Sequence, residues 1–351
     1  MTHNGYAAEA VELLKRLIAT PSTSRDESRA ADVMTRFMRE RDIDCRRVKN
    51  NVYAICPDYD KDKKTVLLNA HIDTVKPAAS WTRDPFTPTV DNGKLYGLGS
   101  NDCGGGLVSL LQTFRIITGR KRSFNVIFLA SAEEEVSGND GICSVLPLLP
   151  HVDVALVGEP TGMQPAIAEK GLMVIDATAH GRAGHAARNE GINAIYVAMD
   201  DIDWLKAYKF EKVSTLLGPV KATVTIINAG TQHNVVPDLC RFVIDVRTNE
   251  LYTNKEAFNI LQKGMGSELT ARSFRLNSSM ISPDHPLVKR MTAAGMTPFG
   301  SPTLSDQALM TCPSVKLGPG DSARSHAADE YIRLSEISDA IDTYVALLTD
   351  L

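Results

Sequence analysis

Residues 65–73 read Thr65-Val66-Leu67-Leu68-Asn69-Ala70-His71-Ile72-Asp73. The apolar run Thr65–Ala70 predicts a buried strand, and the His-x-Asp behind it puts chemistry at the strand's polar end. The same texture recurs. Asn125–Ala130 runs into Glu133-Glu134-Glu135, and Val152–Val157 into Gly158-Glu159-Pro160-Thr161. Ser314–Leu317 runs into Gly318-Pro319-Gly320 and then His326. Helical stretches such as Leu107–Ile117 separate these runs, so the expected fold class is α/β, with a mostly parallel sheet flanked by helices.

Upstream, Val11, Leu14, Leu17 and Ile18 recur at helical spacing and predict a helix that ends near Pro21. Ser24 with Glu27 reads as a capping box for a second helix running to about Glu40. The middle of the chain has another rhythm. Leu172–Ala179 reads as a strand, Asn193–Tyr208 as a helix, and Lys221–Asn228 and Arg241–Arg247 as two strands. Asn254–Met265 is helical again, and Leu269–Leu276 is a last strand. This β-α-β-β-α-β order is a ferredoxin-like α+β unit. It predicts an insertion over residues 172–277, with the first domain's parts at 1–171 and 278–351.

A chain of 351 residues exceeds the ~250–300 at which single cores stop growing, which also favours two domains. A formal charge of −4 leaves no basic footprint for nucleic acid. Nowhere does an apolar stretch reach the ~18 residues of a membrane span, and no block of like charge suggests a membrane surface. Glu9, Glu12, Lys15 and Arg16 break up Met1–Thr20, which therefore does not read as a secretory signal. The cysteines Cys45, Cys56, Cys103, Cys143, Cys240 and Cys312 are scattered without a C-x-x-C pair. That pattern fits free thiols in a reducing, cytoplasmic setting.

Ligands of open α/β sheets bind outside the carboxyl ends of the strands. Here those ends carry His71, Glu135, Glu159 and His326, and the glycine-rich turn Gly97-Leu98-Gly99-Ser100-Asn101-Asp102 adds an aspartate. Each element alone is commonplace: a loop histidine, a solvated acidic turn, a Gly-Glu-Pro bend. As a set, two histidines and three carboxylates without a thiolate form a nitrogen and oxygen site that suits zinc, with cobalt or manganese as substitutes. A paired site needs a shared ligand, and Asp102 is the expected bridge. One ion would then take His71 and Glu159, and the other Glu135 and His326. Glu134 remains free to accept a proton from water and pass it to a leaving amine. Asp73 is placed to hold the His71 imidazole in its ligating tautomer.

The glycine turn also invites comparison with a dinucleotide fingerprint, but Asp102 occupies the third glycine position and would repel a pyrophosphate. Gly104, Gly105 and Gly106 instead let the next helix begin close to the metals. The chain has no P-loop, no Gly-x-Ser-x-Gly and no His-Glu-x-x-His.

Taken in order, Leu68 to Asp73, Gly97 to Asp102, Glu133 to Glu135, Gly158 to Thr161 and the late His326 closely resemble the zinc aminoacylase and carboxypeptidase family, and within it the acetylornithine deacetylase branch. The resemblance implies a two-zinc catalytic domain with an inserted lid that also dimerises. It implies that His185, in Gly184-His185-Ala186-Ala187, reaches a neighbouring subunit's site and stabilises the oxyanion. It implies that Asn234 and Arg247 contact a substrate carboxylate, a role for which an arginine fork is well built. The expected activity is hydrolysis of the amide of a small N-acyl-L-amino acid: N-acetylornithine in arginine biosynthesis, or an acetylcitrulline or succinylated analogue. A dipeptidase or carboxypeptidase, or a succinyl-diaminopimelate desuccinylase, would need the same centre. A non-catalytic binding protein is disfavoured by the intact Glu134. Departures from the family pattern lie in Cys103-Gly104 after the bridge, in Glu133 where aspartate is usual, and in Ala186-Ala187 after the lid histidine.

Overall fold

The computed structural model describes residues 3–188 and 190–349. It divides into two compact units. One comprises Met1–Ile167, Ile281–Phe299 and Ser305–Leu351, and the other Ala168–Met280 with Gly300–Leu304.

The first unit is α/β. Its sheet begins with Cys45–Val48, Asn51–Ile55, Asn125–Ser131, Thr65–His71, Val154–Val157 and Ser314–Lys316, in that order, and beyond them Ala166 pairs antiparallel with Lys316. Of these six strands the last four are mutually parallel, while the first two form an antiparallel edge. That edge hairpin was not legible in the sequence, because Arg46 and Arg47 break the apolar run on its exposed side. Thr65–His71 and Asn125–Ser131 are buried at every position, as strands covered on both faces must be. Their side chains alternate between two cores. Phe128 meets Phe114 of the helix Gly105–Thr118, with ring centroids 6.3 Å apart. Ile127 and Leu129 point the other way and pack with Leu67, Ala155, Ile142 and Val145. The helices His3–Ile18 and Leu334–Leu348 lie against Gly105–Thr118.

The expected capping box at Ser24 is absent. The helix begins later, as Ser28–Arg39, with Glu27 as an N-cap that makes no side-chain cap hydrogen bond. Ser24 Oγ instead donates to Asp73 Oδ2 at 2.7 Å, and the Glu27 carboxylate accepts from Arg25 N and from Asn50 Nδ2. A buried, ionised carboxylate is a stronger acceptor for the hydroxyl than the capping arrangement offers.

The second unit holds a four-stranded antiparallel sheet in the order Lys221–Ala229, Leu239–Arg247, Met173–His180, Glu268–Ala271. In chain order this is 2-3-1-4, the ferredoxin-like arrangement. Met173–His180 alternates buried and half-buried positions, so one face carries the core beneath the helices Ala194–Ala207 and Asn254–Gly264. Asn193 caps the first helix, and Thr253 with Glu256 forms a true capping box on the second. The last strand stops at Ala271 rather than near Leu276: Phe274 leaves the sheet to pack edge-on against Phe258 at 5.3 Å. Among the described residues no helix is long and apolar enough to cross a membrane.

Candidate metal centre

Parallel pairing puts the carboxyl ends of the four inner strands on one edge. His71 stands opposite Ser131, Asn69 opposite Val157, and Lys316 opposite Val157. Glu134 and Glu135 follow the first neighbouring strand in a short 3-10 turn, and Glu159 follows the second by two residues. Asp102 arrives from the other direction, in the segment Ser100–Gly104 that leads into the helix Gly105–Thr118. That helix can start there because Gly106 lies flat on the chain at Gly158, where an added Cβ would fall 1.8 Å from the Gly158 carbonyl oxygen.

His71, Asp102, Glu134, Glu135, Glu159 and His326 converge. His71 Nε2 lies 3.3 Å from Asp102 Oδ1, 3.7 Å from Glu159 Oε1 and 4.0 Å from Glu134 Oε2. His326 Nε2 lies 2.9 Å from Glu135 Oε2 and 3.6 Å from Asp102 Oδ2. The potential ligand atoms of His71, Asp102 and Glu135 lie within 4.8 Å of one another. Asp73 sits behind them. His71 Nδ1 donates to the Asp73 main-chain oxygen at 2.9 Å, with the Asp73 carboxylate at 3.5 Å. The proton is thereby held on Nδ1 and Nε2 is left to face the cluster. The Asp73 carboxylate is occupied by Ser24 Oγ and by the main-chain N–H groups of Glu134 and Glu135.

The cluster sets Asp73, Asp102, Glu134, Glu135 and Glu159 together in a largely buried place, where ionised carboxylates are costly without cations. Burial raises the Glu159 pKa to about 8, with Asp102 adding to the rise and His71 and the buried Lys316 ammonium opposing it. Burial and the Glu159 charge hold Glu134 well above the ordinary carboxylate range. The hydrogen bond to Glu135 lifts His326 to about 9. Burial works against ionisation of Asp73, yet the bonds from His71, Ser24 and Glu134 keep its pKa below the usual value. A group of carboxylates and imidazoles that raises its own proton affinity in this way is a ready seat for divalent cations, and the donors fit them.

Three neighbours were not foreseen in these roles. The thiol of Cys103 accepts from His71 N at 3.1 Å and lies within ligand range of His71 and Glu159, beside the expected nitrogen and oxygen donors. Burial raises that thiol far above its ordinary value, and it stays protonated, a poor ligand. Asp306 accepts from Ser131 Oγ at 2.6 Å, and burial lifts its pKa to about 6. Glu330 accepts main-chain N–H groups around Asp102. Nothing in periodicity marks either residue; the one signal for Glu330 is its place four residues after His326.

The second unit holds the remaining candidates. His185 is exposed on the two-residue strand Gly184–His185, which pairs with Val235–Val236. Ala186 N donates to the Asn234 main-chain oxygen at 3.0 Å, so His185 and Asn234 are neighbours. Arg247 lies at the end of Leu239–Arg247 and is held by Asp245 through bonds of 2.8 and 3.0 Å.

The family model of Peptidase family M20/M25/M40 matches residues 67–350. An acetylornithine deacetylase of Shigella sonnei is 29% identical, over 92% of each chain. Solved structures that share the fold include two from Bacillus species. The aminopeptidase PepT from Bacillus cereus has a TM-score of 0.78 at 17% identity, covering 97% of this chain and 98% of that one. The Bacillus subtilis YXEP protein, a dinuclear metal binding peptidase from the M20 family, has a TM-score of 0.72 at 18% identity, covering 99% and 100%. With its metal-type donors gathered on one sheet edge and the family pattern running through most of its length, this chain belongs to peptidase family M20/M25/M40 and is a metal-dependent hydrolase.

Proposed function

We propose that the protein removes the acyl group from a small N-acyl-L-amino acid, N-acetylornithine foremost, with two zinc ions, in arginine biosynthesis in the cytoplasm. The similarity to an acetylornithine deacetylase over nearly the whole chain supports the substrate class. The observation that carries the two-ion reading is the way Asp102 is shared: Oδ1 faces His71 at 3.3 Å and Oδ2 faces His326 at 3.6 Å. His71 and Glu159 would hold one ion, Glu135 and His326 the other, with Asp102 common to both. Cobalt or manganese would suit the same donors. When bound, such ions polarise the scissile carbonyl and lower the pKa of water.

The rest falls to the chain. Glu134 takes the proton of the attacking water and returns it to the departing nitrogen. Asp73 holds the turn that carries it. We assign His185 to stabilising the developing oxyanion from a partner subunit, and Asn234 and Arg247 to the substrate carboxylate. A homodimer through the second unit is supported by the edge strand Lys221–Ala229, where Ile226 and Ile227 are about half exposed, and by Tyr196 on the neighbouring helix, which is 65% exposed. The six free thiols support a reducing compartment.

A metallo-carboxypeptidase and a di-peptidase among the proteins of similar fold support a second reading, a dipeptidase or carboxypeptidase. A substrate panel separates the two. Zinc-loaded protein is offered N-acetyl and N-succinyl forms of ornithine, citrulline, diaminopimelate and glutamate beside di- and tripeptides. Preference for acetylornithine is expected. Turnover confined to peptides would replace the deacetylase reading, and preference for succinyl-diaminopimelate would make the enzyme a desuccinylase.

A further inference from the structure

We infer that Glu330 is a positioning residue that shapes the Asp102 turn before any cation binds, an inference that rests on the reading of Asp102 as a shared ligand. Glu330 is buried, at 2% exposure. Its Oε1 accepts the main-chain N–H of Asn101 at 2.7 Å and of Asp102 at 2.9 Å, and its Oε2 accepts that of Gly99 at 3.1 Å. Its own main-chain oxygen accepts from Gly97 N at 3.1 Å. The turn from Gly97 to Asp102 therefore closes on one residue.

Two features bring Glu330 there. The strand Tyr331–Arg333 pairs antiparallel with Lys94–Tyr96, Tyr331 opposite Tyr96, so the residue before one strand meets the residue after the other. Glu330 also lies four residues beyond His326 on the same stretch of chain. The other side of that stretch is pinned by Asn101. Its Oδ1 accepts from Asp321 N at 3.0 Å, and its Nδ2 donates to the Asp321 main-chain oxygen at 3.1 Å and to Ser325 Oγ at 3.3 Å. His326 itself is a half-exposed loop residue with φ +57°. Its approach to Asp102 is thus governed from both flanks by groups fixed to the Asp102 turn.

A buried carboxylate is an expensive anchor beside other carboxylates, and neutral side chains could tie two loops together at lower cost. What the carboxylate alone provides is oxygen acceptors for three converging N–H groups. Glutamine would accept with one oxygen and turn an NH2 toward a donor. The expected consequence is a misaimed Asp102 in a chain that still folds.

The test compares wild-type protein with Glu330→Gln. Zinc affinity is measured by competition with a chromophoric chelator, cobalt coordination by the visible spectrum, and the fold by the melting temperature of the metal-free form. Glu330→Gln is expected to lose about 10–100-fold in zinc affinity, with an altered cobalt spectrum and a metal-free melting temperature close to wild type. Wild-type affinity together with an unchanged cobalt spectrum overturns the inference. If the variant does not fold, hydrogen exchange on metal-free wild-type protein decides. Amides of Gly99, Asn101 and Asp102 as protected without metal as with it support the inference; protection that appears only on zinc addition overturns it. The wild-type titration also counts ions. A count of one removes the two-ion reading, while the effect of Glu330→Gln on that ion's affinity still decides the role of Glu330.

Discussion

Asp73 Oδ1 accepts the main-chain N–H of Glu134 at 3.0 Å, and the other oxygen of the same carboxylate accepts that of Glu135 at 3.1 Å. One side chain thus sets the aim of both the proposed base and a proposed ligand, in addition to flanking His71. Asp73→Asn leaves one oxygen to accept and faces an amide NH2 toward a donor. Turnover is expected to fall by about 10–100-fold, with KM changed much less. Steady-state kinetics check this, and wild-type turnover would contradict the positioning role.

Glu134→Gln keeps the shape of the side chain but cannot carry the proton. Turnover should drop by about 10²–10⁴-fold or more, with metal content retained by elemental analysis and substrate binding little changed. Near-normal turnover would remove Glu134 from the mechanism.

Metal uptake should be linked to pH. Without cations His326 titrates at about 9 and Glu159 at about 8, so both are largely protonated at pH 7 and must lose protons to act as ligands. Binding is therefore expected to release protons at pH 7 and to tighten as pH rises through roughly 7 to 9, the interval these values set. Calorimetry in buffers of different ionisation enthalpy reads the proton count; a value of zero at pH 7 would count against the assigned ligands. Asp102→Ala should weaken both sites together.

Gly106→Ala tests the packing that brings the Asp102 helix to the Glu159 strand end. The new Cβ would lie 1.8 Å from backbone oxygen, and neither partner is a side chain that can swing away. Overpacking of this kind costs about 1–3 kcal/mol, and the backbone on both sides favours the upper end. Thermal unfolding measures the loss; an unchanged melting temperature would show that the helix start can shift freely.

A composite site makes its own prediction. If His185 serves the partner subunit, then His185→Ala and Glu134→Gln damage different halves of each active site. Mixing the two inactive proteins under subunit exchange should restore activity in heterodimers that join an intact Glu134 to an intact His185. The scheme fails if verified heterodimers stay inactive, or if the native protein is fully active as a monomer.

The alternation of apolar runs with helical stretches was enough to predict the α/β class. Buried parallel strands such as Thr65–His71 must be apolar along their length, and that is visible in one dimension. The polar residues at the strand ends were visible for the same reason, since nothing in a sheet interior would keep His71 or Glu159 there. The tertiary structure decided what these residues touch. Ser24 reads as a cap by its spacing, but the fold brings it to Asp73, 49 residues away, and the carboxylate takes the hydroxyl. Glu330 carries no periodic mark; the pairing of Tyr331–Arg333 with Lys94–Tyr96 helps to carry it under the Asp102 turn. Local pattern records which face of an element is buried. Hydrogen bonds between segments hundreds of residues apart depend on strand register, and register is fixed only when the whole sheet assembles.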